Sequence, residues 1–267
     1  MGINIIRTGK SSRTPVVLVH ALGLDLTYWD QQIPALADAF EVVAYDLPGH
    51  GLSTGISDDW TIGKAASTLV EVIRSTGEQS AHVVGLSVGS MIAQVLAVEY
   101  PSMVRSLTLM GSATTFTPEA RQFLTSMAEL ARVEGMREIA ASMPHWFAEA
   151  TRVHRPDILD RTAKTLLKAD PYIHAAAWRM IASFDLEAEL HRILCPTLIL
   201  VGNQDVNTPP PASQLIASKI EHSELLILPG AAHMLPFEAP TKVNEHLLRF
   251  LRAADAKNQS QSTLDAR

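Results

Sequence analysis

Cysteine is almost absent: Cys195 is the only one in 267 residues. No disulfide can close within the chain, and no thiolate cluster can hold a metal. Cys195 lies in Ile193-Leu194-Cys195-Pro196, at the entrance to an apolar run and without the neighbours of a thiol catalyst, so a buried structural role is expected. Long apolar runs are also missing, and none approaches the roughly 20 residues that span a bilayer. Residues 1–13 are mixed and polar, without the charged-then-apolar order of a secretion signal. Basic charge is in deficit, with 22 Lys and Arg against 28 Asp and Glu, which leaves no basic face for a nucleic-acid backbone. The expectations are therefore no membrane, no nucleic acid and a cytoplasmic location. A homo-oligomer is left open.

What is present describes an ordinary globular chain, 47% hydrophobic and 19% charged, of a length suited to one domain carrying an insertion. Short β-branched or apolar runs at 16–20, 41–45, 81–86, 104–110, 197–201 and 224–228 read as strands. Between them, helices are expected over 29–40, 61–75, 88–100, 211–219 and 240–251. In the second of these, Ile62, Ala66, Leu69, Val70 and Ile73 share one face. Continuous apolar strands alternating with amphipathic helices imply an α/β fold with a mostly parallel sheet covered on both faces. The strand rhythm stops between 111 and 192. There Thr117-Pro118 opens a helix, and breaks at Gly135, Pro144, Pro156 and Pro171 divide the stretch into about four short helices. Such an insertion would sit beyond the carboxyl ends of the strands, where α/β folds bind ligands. The expected organisation is a core of 1–112 and 193–255, a helical cap (lid) of 113–192 and a disordered tail of 256–267.

Gly85-Leu86-Ser87-Val88-Gly89 follows a buried strand and opens a helix. A strand-to-helix turn tight enough to project Ser87 strains its backbone and brings neighbouring chain too close for side chains at 85 and 89. The Val88 amide then lies in the first helical turn, where N–H groups lack internal partners and can hold an oxyanion. A serine hydroxyl needs a base. His233 follows the last strand in a loop of small residues and is the best placed of ten histidines. Its ring needs an acceptor to fix the tautomer, and Asp205 stands just past the strand at 197–201. The chain order Ser87, Asp205, His233 suits this fold. His20 and His50 precede Ser87 and are expected to shape their turns, and Asp46 to bond its own loop. No carboxylate closely follows the 104–110 strand. Leu22, in His20-Ala21-Leu22-Gly23, is expected to supply the second oxyanion amide.

Together these segments resemble the α/β-hydrolase family from about 16 to 251, and within it the 3-oxoadipate enol-lactonase branch. The likeness rests on Leu22-Gly23-Leu24-Asp25, Trp29-Asp30, Gly85-Leu86-Ser87, His145-Trp146-Phe147, Asp185-Leu186 and Cys195-Pro196-Thr197-Leu198. Asp205 with Thr208-Pro209-Pro210, and His233 with Glu238-Ala239-Pro240, complete it. The resemblance implies hydrolysis of a small carboxylated lactone from aromatic-compound breakdown. Three features depart from it: Val19-His20-Ala21 is like general esterases, His145 occupies the place of an expected arginine, and 3–7 supplies a single edge strand in place of an opening hairpin.

The expected mechanism is a serine esterase or lactonase working through an acyl-enzyme on a small-molecule ester or lactone, with no metal and no cofactor. Trp146, Phe147, Trp178, Met143 and His145 are expected to line the pocket, and Arg179 or Arg137 to be available to a substrate carboxylate. The acidic limb of the rate profile is expected near about pH 6 to 7. The rival readings are a general carboxylesterase, a cofactor-free C–C hydrolase or perhydrolase using the same triad, and a ligand receptor built on a slow hydrolase.

Overall fold

A computed structural model describes residues 2–11, 13–55 and 60–265, with side chains described as far as 256. Seven strands form one sheet: β1 (Ile5–Thr8), β2 (Pro15–Val19), β3 (Glu41–Tyr45), β4 (Ala81–Leu86), β5 (Val104–Met110), β6 (Thr197–Gly202) and β7 (Ser223–Leu228). Their spatial order is β1-β3-β2-β4-β5-β6-β7. Only the edge pair β1–β3 is antiparallel, and every other pairing is parallel.

The helices of the core are α1 (Gln32–Ala37), α2 (Ile62–Ser75) and α3 (Val88–Glu99). The insertion between β5 and β6 carries α4 (Pro118–Glu134), α5 (Met136–Ser142), α6 (Glu149–His154), α7 (Pro156–Leu166) and α8 (Pro171–Ala182). The chain ends with α9 (Pro210–Lys219), α10 (Leu235–Glu238) and α11 (Pro240–Asp265). Side chains alternate across a strand, and here the alternation feeds two cores. Val17, Val19, Val83, Leu107 and Ile199 pack on one face with α2 and α3. Val16, Leu18, Val84, Leu198 and Leu200 pack on the other with Leu36 and the α11 residues Val243 and Leu247. Both faces are covered, which is why the strands read as unbroken apolar runs. Truncating Leu18 or Ile199, each fully buried, to alanine should cost about 2–5 kcal/mol.

Three boundaries differ from expectation. The helix over 29–40 is instead a short 3-10 turn, Leu26–Trp29, followed by α1. Pro34 has no N–H and its ring would strike the carbonyl four residues earlier, so the helix starts only at Gln32. The insertion holds five helices rather than about four, because Glu149–His154 forms a separate turn and a half before Pro156. The last helix continues to Asp265, where a disordered tail was expected from 256. Ala, Lys and Gln in that stretch are adequate helix formers even without an apolar period. The expected tail's final residues, 266–267, lie outside the described ones. Among the described residues, no helix is long and apolar enough to cross a membrane.

Candidate active site

Sheet register brings the loops together. Val19 pairs with Gly85, Leu86 with Met110, and Gly202 with Leu228, so β2, β4, β5, β6 and β7 end at one edge. Backbone bonds extend the ladder into the loops: Ser87 N–H donates to Met110 O at 2.9 Å, Gly111 N–H to Leu200 O at 2.9 Å, and Gln204 N–H to Ala231 O at 2.9 Å.

Ser87 has φ 55° and ψ −119°, and among the described residues no other non-glycine has positive φ. That strained geometry lifts the residue off the strand and onto the amino end of α3. A Cβ on Gly85 would fall 2.5 Å from the Gly89 backbone, and one on Gly89 would strike Val19 O, so the turn closes only with glycine at both places. Sequence reasoning missed the brace beside it. Ser90 Oγ donates to Gly85 O at 2.7 Å and accepts from Met110 N–H at 3.0 Å, which ties α3 to β4 and β5. Val88 is the first residue of α3 and its N–H has no intrahelical acceptor. Leu22 lines the same cavity as Ser87, and Val88 follows that serine in the chain.

His233 and Asp205 are buried and joined, Nδ1 to Oδ2 at 2.8 Å. Asp205 is held on its other sides by Asn207 N–H at 2.9 Å, Thr208 N–H at 3.0 Å and the Thr208 hydroxyl at 2.9 Å. Thr208 also lies 3.2 Å from His233 Nδ1. Burial pushes the Asp205 carboxyl up, but the nearby His233 charge and the bonds from His233 and Thr208 bring it below its ordinary value. Burial pushes His233 down, and the Asp205 charge and hydrogen bond, with the charge of Glu238, carry it above 6.5. The two directions agree with one ion pair seen from both ends. An acidic limb governed by His233 therefore lies on the high side of the range expected from sequence.

Where β5 ends without a carboxylate, Gly111 has φ 50°, and a Cβ there would lie 3.1 Å from His233 Nδ1 and 3.4 Å from Asp205 Oδ2. The backbone of β5 thus floors the pair. His20 and His50 fall outside the cavity lining. His20 Nε2 accepts from Leu47 N–H at 2.8 Å and Nδ1 meets Ala21 O at 2.8 Å, while His50 Nδ1 meets Pro48 O at 3.1 Å. Asp46 does more than bond its own loop: it accepts from Leu52 N–H, Leu26 N–H and Asn4 Nδ2 at 2.8, 2.7 and 2.7 Å. Cys195 is a half-buried free thiol whose pKa burial pushes up to about 11, as expected of an inert residue.

Ser87 and His233 share the wall of one cavity of about 540 Å³ between the sheet edge and the lid. Of the five expected pocket residues, Trp146, Trp178 and His145 line it. Met143 and Phe147 do not: both are buried in the core beneath the lid. Met143 opens the short 3-10 turn that Trp146 closes, and Phe147 follows it in extended backbone. Arg179 and Arg137 are exposed and stand outside the lining. The wall also includes Phe116, Ala120, Phe123, Leu124 and Met127, which the sequence reading did not single out. For Ala120, Phe123, Leu124 and Met127 the spacing along one side of α4 is the signal that points to them; Phe116 precedes that helix. Among the described residues, no group of three or more His, Cys, Asp or Glu is arranged to hold a metal ion.

The model of the alpha/beta hydrolase fold family matches residues 14–240; the chain belongs to that family of hydrolases. It is 26% identical to 3-oxoadipate enol-lactonase 2 of Acinetobacter baylyi over 245 residues, covering 91% of each chain. Among solved structures, a malate-bound thermophilic esterase from Thermogutta terrifontis superposes with a TM-score of 0.88 at 32% identity, over 94% of this chain and 93% of that one. The enol-lactonase from Burkholderia xenovorans LB400 gives 0.89 at 26% identity, over 94% and 96%.

Proposed function

We propose that the protein hydrolyses a small, uncharged ester or lactone through an acyl-enzyme on Ser87. The observation that carries this reading is the buried His233–Asp205 pair, whose histidine shares a cavity wall with a backbone-strained serine. In the first step His233 Nε2 takes the hydroxyl proton as Ser87 Oγ attacks the carbonyl carbon. The negative oxygen is received by the amides of Leu22 and Val88, and loss of either donor should cost about 3–4 kcal/mol in the barrier. His233 then gives its proton to the departing alkoxide, or to a departing enolate that becomes a ketone, and is left neutral in either case. Water, deprotonated by the same ring, attacks the acyl carbon and restores Ser87.

The likeness to enol-lactonases favours a lactone related to 3-oxoadipate enol-lactone, which itself carries a carboxylate, or another lactone from aromatic breakdown. The cavity wall favours one without a free carboxylate. Its aromatic and aliphatic side chains cannot solvate an anion, and the one carboxylate among the described lining residues, Glu119, would repel it. The test is turnover of p-nitrophenyl butyrate, an unsubstituted lactone, 3-oxoadipate enol-lactone and a 1,3-diketone by wild type and Ser87→Ala. The reading requires the neutral ester or lactone to lead, with the variant about 10⁴- to 10⁶-fold lower in kcat. Equal turnover by both proteins overturns the nucleophile, and preference for the diketone overturns the ester class.

A further inference from the structure

Glu238 is a carboxylate that the catalytic sequence above does not use, yet it accepts four hydrogen bonds from two parts of the molecule. Oε1 takes the backbone N–H groups of Ala232 at 3.0 Å and Met234 at 3.1 Å, the two residues flanking His233. Oε2 takes Ala148 N–H at 2.7 Å and the Thr151 hydroxyl at 3.1 Å, at the start of lid helix α6. A separate bond runs between the same segments, from His233 N–H to Trp146 O at 3.1 Å. From the proline-containing turn α10, one side chain therefore grips the base-bearing loop with one oxygen and the lid with the other.

We infer that Glu238 is a positioning residue, fixing the His233 ring over Ser87 and setting the base of the lid, with Trp146 in the cavity wall, in register with that ring. This rests on the assignment of His233 as base. In the loop Gly230-Ala231-Ala232 both alanines are buried, but a methyl group is the largest side chain there to hold the backbone in one orientation. Two charge-assisted bonds astride the histidine supply what packing does not. A surface carboxylate serving only as a helix cap has no need to face two separate segments with two separate oxygens. Its burial pushes its own pKa up against the four donors, and its charge acts on His233 in the same direction as Asp205 does. The other titratable side chains around His233 are Asp205, bonded to its ring, and His145 and Glu119, which line the same cavity.

Glu238→Gln keeps the shape but presents an amide N–H₂ to one pair of donors, so one of the two grips must open. In steady-state kinetics with the best neutral ester, kcat should fall roughly 10- to 100-fold with KM within about twofold, as for a displaced catalytic group. The acidic limb of kcat/KM should move to lower pH. Glu238→Asp keeps the charge on a shorter arm and should lose kcat while leaving the limb in place. Thr151→Val removes one lid-side donor, should fold normally, and should lower kcat a few-fold, with no further loss when added to Glu238→Gln. Wild-type kcat and limb in Glu238→Gln overturn the inference; should that variant not fold, unchanged kcat in Thr151→Val does so. An active Ser87→Ala protein would instead fault the hydrolase reading beneath it.

Discussion

Three buried histidines, His20, His50 and His174, shift in the direction opposite to the buried His233. The three have no carboxylate in hydrogen-bond contact. Burial lowers all three, His50 to about 4 with help from His20, and His174 to about 3 with help from His50. Neither ring nitrogen of His174 has a hydrogen-bond partner. His233, also buried, is raised by Asp205, with a smaller contribution from Glu238. Burial alone makes imidazole an apolar filler; one buried carboxylate turns it into a base that can carry a proton.

The comparison is broken most severely by Asp205→Asn, which makes His233 resemble the silent set. We expect kcat to fall on the order of 10⁴-fold and the acidic limb to move down, since the group that raises His233 is gone. Stopped-flow or steady-state profiles between pH 5 and 9 would report both. Gly111→Ala is next. A Cβ 3.1 Å from His233 Nδ1 must push the ring by a few tenths of an ångström, at a residue held at φ 50°. A loss of kcat near 10-fold and a destabilisation of about 1–2 kcal/mol follow, readable as a fall in Tm of a few degrees.

The fold and the Asp205–His233 contact were readable in the sequence for physical reasons. Unbroken apolar strands admit only a sheet covered on both sides, and glycines two residues either side of a serine, between strand and helix, mark a turn too crowded for any larger side chain. His233 and Asp205 stood out because each follows a strand that must end at the same edge. The lid was harder. Met143 and Trp146 both pack with the same core cluster, yet only Trp146 reaches the cavity. How far each side chain is buried there depends on the tertiary packing of the lid, which local spacing does not encode. The grip of Glu238 was visible only as family likeness, since its four donors lie up to 90 residues away.

A smaller effect sharpens the comparison from the silent side. A histidine lowered in the fold takes up its proton more readily when unfolded. Stability is thus whole above 6.5 and drains as pH falls toward the folded value. His174→Leu should remove about 1.4 kcal/mol per pH unit of that loss between roughly pH 6 and 4, measured as urea midpoints, with little change at pH 8. His233 has the reverse sign: its contribution is present below 6.5 and lost as pH rises through its raised folded value. Smallest of all is Arg161→Ala. It removes an exposed ion pair with Asp30 at 2.6 Å and a guanidinium 4.7 Å above Tyr28, for about 1 kcal/mol.

The central claim is that His233, poised by Asp205, activates Ser87. Labelling with a fluorophosphonate, read by peptide mass spectrometry across pH, tests it most directly. We predict one adduct, on the peptide containing Ser87, formed at a rate that declines below a midpoint above pH 6.5 and at least 10³-fold slower in Asp205→Asn. A label on another residue, or one formed on Ser87 at a rate indifferent to pH and to residue 205, would contradict the account.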